Sequence, residues 1–185
     1  MWNIPNSLTI SRIAMIPVLV LVYIYDNQWS NVISAIIFSL AAITDWFDGY
    51  LARKLGQLSA FGAFLDPVAD KLMVSTALIL LVFAHGESFL IVISAIVIIG
   101  REITISALRE WMAEVGQSAN VAVSMLGKVK TTAQMVSITF LLYRDDLLSM
   151  PIFSIGQALL IVAAVLTIIS MIIYLKAAWR VMKNH

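Results

Sequence analysis

Four aspartates hold most of the chemical potential of this chain. Asp45 and Asp48 stand three apart, and Asp66 and Asp70 four apart, so each pair shares one face if its segment is helical. Carboxylates that converge from two segments repel one another and need countercharge. Arg53 and Lys71 could supply part of it and still leave the cluster acidic. Such a cluster is either a structural salt-bridge group or a set of hard oxygen ligands for Mg²⁺ or Mn²⁺. Two such cations ~3.5–4 Å apart can clamp a phosphoryl group, and a carboxylate beside them can act as general base. Two histidines and no cysteine leave no thiolate zinc site, disulfide framework or thiol nucleophile.

The elements that must position these carboxylates are membrane helices. Of 185 residues, 61% are hydrophobic and 12% charged, with a mean hydropathy of +0.95; ordinary soluble domains are about 45–50% apolar and about 25% charged. That composition argues against soluble, disordered and nucleic-acid-binding classes, and a net charge of +1 adds no case for a polyanionic partner. Uncharged runs at 13–25, 27–44, 72–86, 88–100, 131–143 and 147–175 are continuously apolar rather than alternating, which favours helices over a β-barrel. Crossing the hydrocarbon core takes about 20 residues. We therefore expect an all-α polytopic membrane protein with six spans near 8–25, 31–50, 62–84, 88–108, 127–144 and 151–175, forming a single domain over 1–185. Arg12 and Pro17 interrupt the first apolar stretch, so no cleavable leader is expected.

Six spans place both termini on one side. Every Lys and Arg except Arg144 falls on that side, and the positive-inside tendency makes it cytoplasmic. Trp2, Trp29, Trp46, Trp111 and Trp179 sit near span ends, as interfacial anchors do. The second span then runs inward and the third returns, which brings all four aspartates to the cytoplasmic end. A cation or proton-coupled transporter is the reading from a different class, but its ion site is expected near the midplane. Gly49, Ala52 and Gly62, each one turn from an aspartate, keep the face open or allow close helix packing. Pro67 either starts or kinks its helix, or frees the Ala63 carbonyl within it.

The spacing D-x2-D-G-x2-A-R-x8-G-x3-D-x3-D, from Asp45 to Asp70, resembles the signature of the CDP-alcohol phosphotransferase family, and each fixed position is met. The segments Asn3–Thr9 with Arg12 and Pro17, Arg101-Glu102, Ala107–Trp111 and Gly127–Gln134 are similar to the bacterial branch that uses a glycerol phosphate acceptor. The resemblance implies transfer of a phosphatidyl group from CDP-diacylglycerol to the 1-hydroxyl of sn-glycerol 3-phosphate, with release of CMP. It implies one divalent cation, Mg²⁺ or Mn²⁺, on Asp45, Asp48 and Asp66, and a second on Asp45, Asp66 and Asp70. Asp70 is also the implied base. Gly49, Ala52 and Arg53 are implied contacts of the CMP part of the donor, with Gly62 beside them. Thr9 and Ser59 are candidates for the same CDP-diacylglycerol site or for local hydroxyl–backbone bonds.

Arg101 and Arg109 lie eight apart, about 80° around one helix, and with Lys128 could bind the acceptor's phosphate. The alternative is a snorkelling basic face that meets only membrane phospholipid headgroups. Lys130 points away from Lys128 and pairs by spacing with Gln134. Arg12 is expected to salt-bridge or touch the donor. Glu102, Glu110 and Glu114 are expected to pair with nearby Arg or face water. A homodimer in the bacterial inner membrane is the assembly and location the resemblance implies.

Overall fold

The structure is a computed structural model that describes residues 4–25, 27–55, 59–114, 125–147 and 149–182, with backbone alone at 4–5, 46–55, 60, 63, 125–126, 177 and 180–182. Among them run six helices: α1 (Ile4–Ile24), α2 (Ser30–Leu55), α3 (Ala60–Ala84), α4 (Phe89–Glu114), α5 (Met125–Tyr143) and α6 (Ile152–Met182). The described residues contain no strand, only an isolated bridge between Leu147 and Met150. The chain is an all-α polytopic membrane protein.

Four helical segments are long and apolar enough to cross a bilayer: Asn6–Ile24, Phe64–Ala84, Phe89–Glu114 and Ile152–Lys176; Ser30–Asp45 is a shorter apolar one. The distribution of side chains suits lipid rather than water. Leu21, Ile79, Phe83 and Phe89 point outward, while Asn6, Thr9, Arg12, Arg101, Lys130 and Gln134 are buried. Without water, buried polar groups must find one another, so the polar residues mark the inside of the bundle. Trp29, Trp111 and Trp179 are exposed near helix ends; Trp2 and the Trp46 side chain lie outside the described residues.

Several helices run past the expected spans: α2 continues to Leu55, α4 to Glu114 and α6 to Met182. An apolar run ends at its first charge, but Lys, Arg and Glu are good helix formers, so the backbone carries on beyond it. Pro67 lies inside α3 rather than at its start. At the α5–α6 crossing, the Ser137 hydroxyl donates to the Gly156 carbonyl at 2.8 Å. A Cβ on Gly156 would stand 3.0 Å from Leu141 Cγ, so the glycine permits this close approach.

Side-chain contacts sort the helix ends into two layers. Arg12 meets Asp45, Thr9 meets Asp66, Lys71 meets Ser106, Lys130 meets Glu102 and Arg101 meets Ser170. These join one end of all six helices. At the other end Asn31 meets Asp145 and Gln157 meets Ser88. Among the described residues, Arg144 is the basic side chain of that second layer, its guanidinium 4.4 Å from the Tyr23 ring centre.

Candidate active site

The first helix enters the polar end with Asn6, Thr9 and Arg12 on one face, three residues apart and all buried. Each reaches the α2–α3 corner. Thr9 Oγ1 donates to Asp66 Oδ1 at 2.5 Å, and Arg12 Nη1 donates to Asp45 Oδ1 at 2.5 Å. Ser59 Oγ donates to Asn6 Oδ1 at 3.0 Å and accepts from the Gly62 amide at 3.0 Å, which caps α3. A Cβ on Gly62 would fall 2.6 Å from Asn6 Oδ1 and 3.1 Å from Ser59 Oγ. The glycine is what lets α1 sit against the start of α3.

Asp70, one turn beyond Asp66, lies between two small cavities. One, of about 10 Å³, also touches Arg12, Phe38 and Met135. The other, of about 40 Å³, is walled by Lys71, Glu102, Lys130, Thr131 and Gln134. The Lys71 ammonium bonds Ser106 Oγ rather than an aspartate, so the described base seated on the acidic cluster is Arg12, from another helix. Asp48, Gly49, Ala52 and Arg53 lie on the α2 backbone, and their side chains fall outside the described residues.

The expected acceptor cations divide into two groups. Arg101 is buried, donating to Glu102 Oε1 at 2.9 Å and to Ser170 Oγ at 3.1 Å. Exposed Arg109 donates to the Tyr174 hydroxyl at 3.1 Å. Both guanidiniums lie near the Tyr174 ring, at 5.8 and 5.3 Å from its centre. Lys128 is exposed, whereas Lys130 is buried and donates to Glu102 Oε1 at 3.0 Å. Glu102 thus joins Arg101 on its own helix to Lys130 on α5. The Lys130–Gln134 pair expected along α5 gives way to this cross-helix ion pair, because a carboxylate neutralises a buried ammonium better than an amide does.

The family model described as CDP-alcohol phosphatidyltransferase matches residues 2–169. The chain belongs to this family. A Sodalis glossinidius protein named CDP-diacylglycerol–glycerol-3-phosphate 3-phosphatidyltransferase is 54% identical over 184 residues, covering 99% of this chain and 98% of its own. Proteins of the same name from Salmonella choleraesuis and Shigella flexneri are 53% and 52% identical over 177 residues, covering 96% of this chain and 95% of theirs.

For a CDP-alcohol phosphatidyltransferase, the donor set at the α2–α3 corner has suitable chemistry for a hard divalent cation. It offers carboxylate oxygens, and the described histidine, His85, lies at the opposite end of α3. Among the described side chains, no three His, Asp or Glu stand together as a metal cage; Asp48, the fourth carboxylate of the motif, is outside them.

Sequence reasoning missed Asn6 as a site residue, although it precedes Thr9 by three positions and Arg12 by six. A polar residue repeated every three positions at the head of an apolar helix was the available signal. Glu102 and Lys130 were also undervalued. Two residues in one helix announce neither their cross-helix partner nor their burial.

Proposed function

We propose that this chain transfers the phosphatidyl group of CDP-diacylglycerol to the 1-hydroxyl of sn-glycerol 3-phosphate, giving phosphatidylglycerophosphate and CMP. The observation that carries the reading is full-length similarity above half identity to relatives named for this reaction, with the Asp45–Asp70 motif complete. The acceptor oxygen forms a bond to the lipid-bearing phosphorus, the bond from that phosphorus to the CMP oxygen breaks, and the hydroxyl proton passes to Asp70. The position of Asp70 on a cavity lined by Lys71, Glu102, Lys130, Thr131 and Gln134 supports its role as base.

Asp45, Asp48, Asp66 and Asp70 would hold two divalent cations, Mg²⁺ or Mn²⁺. When bound, these screen the donor's pyrophosphate and the charge that develops on departing CMP. Arg12 fixes one oxygen of Asp45 and Thr9 one oxygen of Asp66, so the carboxylates are oriented before ligands arrive. Thr9, Gly49, Ala52, Arg53, Ser59 and Gly62 form the CDP-diacylglycerol site in this reading. Thr9 and Ser59 act through the local bonds that set Asp66 and the start of α3. Arg101 and Arg109 bind the acceptor's phosphate, with Lys128 at the exposed approach and Lys130 behind them.

The reading places the site and both termini in the cytoplasm and the protein, as a single-domain homodimer, in the bacterial inner membrane. The gathering of basic side chains in the Asp-bearing layer, with Arg144 opposite, supports that orientation. Purified protein given CDP-diacylglycerol, Mg²⁺ and one acceptor at a time tests the reaction. CMP release should require sn-glycerol 3-phosphate; release with serine, inositol phosphate or phosphatidylglycerol instead would replace this function with another in the family.

A further inference from the structure

The cavity of about 40 Å³ beside Asp70 contains a group that the reaction as described leaves unused. Gln134, on α5, lines it together with Asp70, Lys71, Glu102, Lys130 and Thr131. The side chain is 4% exposed, and its Oε1 has no hydrogen-bond partner among the described residues. Lys130, one turn earlier on the same helix, does not supply one, since its ammonium is bound to Glu102. Buried polar groups in native proteins are nearly always paired, so an orphan that faces a cavity calls for a water or a ligand there. The cavity exceeds the ~10–15 Å³ that one water needs.

The groups that line this cavity, a carboxylate, a carboxamide and ammonium groups, suit an acceptor with a polar atom between its two ends. Asp70, the base in the proposed reaction, is on the α3 wall. Lys130 stands on another, and Arg101 shares its Glu102 oxygen. A polyol phosphate whose phosphate lies toward the cations and whose primary hydroxyl lies toward Asp70 would pass the Gln134 amide at its middle carbon. A carboxamide both accepts and donates, as a secondary hydroxyl does. A half-turn of the amide exchanges its oxygen and nitrogen, so either can be presented.

We infer that Gln134 is a specificity-determining residue that reads the acceptor's secondary, non-reacting hydroxyl. This rests on the proposed glycerol phosphate acceptor and goes beyond it by assigning recognition of the middle carbon. Gln134 selects acceptors that carry the extra hydroxyl because, without it, the buried amide is left unpaired.

The test compares two acceptors with the full-length protein: sn-glycerol 3-phosphate and 3-hydroxypropyl phosphate, which keeps the reacting hydroxyl and the phosphate but lacks the middle one. Wild-type kcat/KM, read as CMP release, should favour sn-glycerol 3-phosphate by about tenfold or more. In Gln134→Leu that ratio should collapse toward one, and Gln134→Glu, which can still accept from a hydroxyl, should retain part of it. A Gln134→Leu protein that loses activity equally on both acceptors, keeping the wild-type ratio, overturns the assignment, because the residue is then structural. Should Gln134→Leu fail to fold, wild type that uses both acceptors equally well overturns it unaided. CMP release with neither acceptor, but with another alcohol, overturns the underlying reaction and this assignment with it.

Discussion

The Arg12 guanidinium is 1% exposed and the Asp45 carboxylate 41% exposed, yet Nη1 and Oδ1 meet at 2.5 Å. The pair therefore straddles a boundary, with the cation sealed inside the bundle and the anion at the open corner of α2 and α3. Burial penalises a charge that loses its partner far more inside than outside. Either half of this pair should therefore be costly to remove.

Asp45→Ala should lower stability by about 1–3 kcal/mol, because it takes one carboxylate from a buried guanidinium. Arg12→Met should cost at least as much, since it removes the described base of the acidic corner together with every bond the buried guanidinium makes. Thermal unfolding in detergent measures both. Either variant melting at the wild-type temperature would contradict a stabilising role for the pair.

Ser59 separates positioning from chemistry. Ser59→Ala deletes the cap of α3 and should cost about 1 kcal/mol, with CMP release reduced only modestly. Asp45→Ala should abolish metal-dependent CMP release. Equal, small losses from both would count against a metal-binding Asp45.

Gly62→Ala tests the docking of α1. The new methyl would press within 2.6 Å of Asn6 Oδ1, and that oxygen is already held by Ser59. The expected cost is about 1–3 kcal/mol, with lower turnover as Thr9 is displaced from Asp66. A melting temperature and turnover both at wild-type level would show that α1 can move aside.

At the other end of α3, burial and the nearby Arg144 charge hold the His85 imidazole below its ordinary value of 6.5. Its Nδ1 lies 3.7 Å from Glu87, which opposes the shift, and its ring packs at a tilt against Phe153, centres 4.8 Å apart. The unfolded chain then binds the proton more tightly than the folded one. Stability should be intact above pH 6.5 and fall as the pH drops from there through the lowered value. His85→Gln should flatten that part of the profile, as followed by melting temperature against pH; an unchanged slope would contradict it.

How much of this was legible in the sequence depends on the range of each interaction. The helices follow from apolar runs, and the face shared by Asp66 and Asp70 follows from one turn of spacing. Both are local. The partner of Asp45 was not readable, because Arg12 lies 33 residues away in another helix while Arg53 is the obvious neighbour in sequence. Lys128 and Lys130 differ by two positions on one helix, and only the packing of α5 against α6, α2 and α3 decides which is buried. The spacing of Arg101 and Arg109 suggested only that they could flank one cavity. The Tyr174 ring that both guanidiniums approach comes from α6, and nothing near either arginine in sequence signals it.

The central claim is that the Asp-rich corner performs phosphatidyl transfer with Asp70 as base. Its most direct test is product formation by Asp70→Asn and wild type, each folded in detergent and supplied with CDP-diacylglycerol, sn-glycerol 3-phosphate and Mg²⁺. Mass spectrometry should find phosphatidylglycerophosphate from wild type, and at least about a hundredfold less from Asp70→Asn at an unchanged melting profile. Near-normal product from Asp70→Asn would contradict the account.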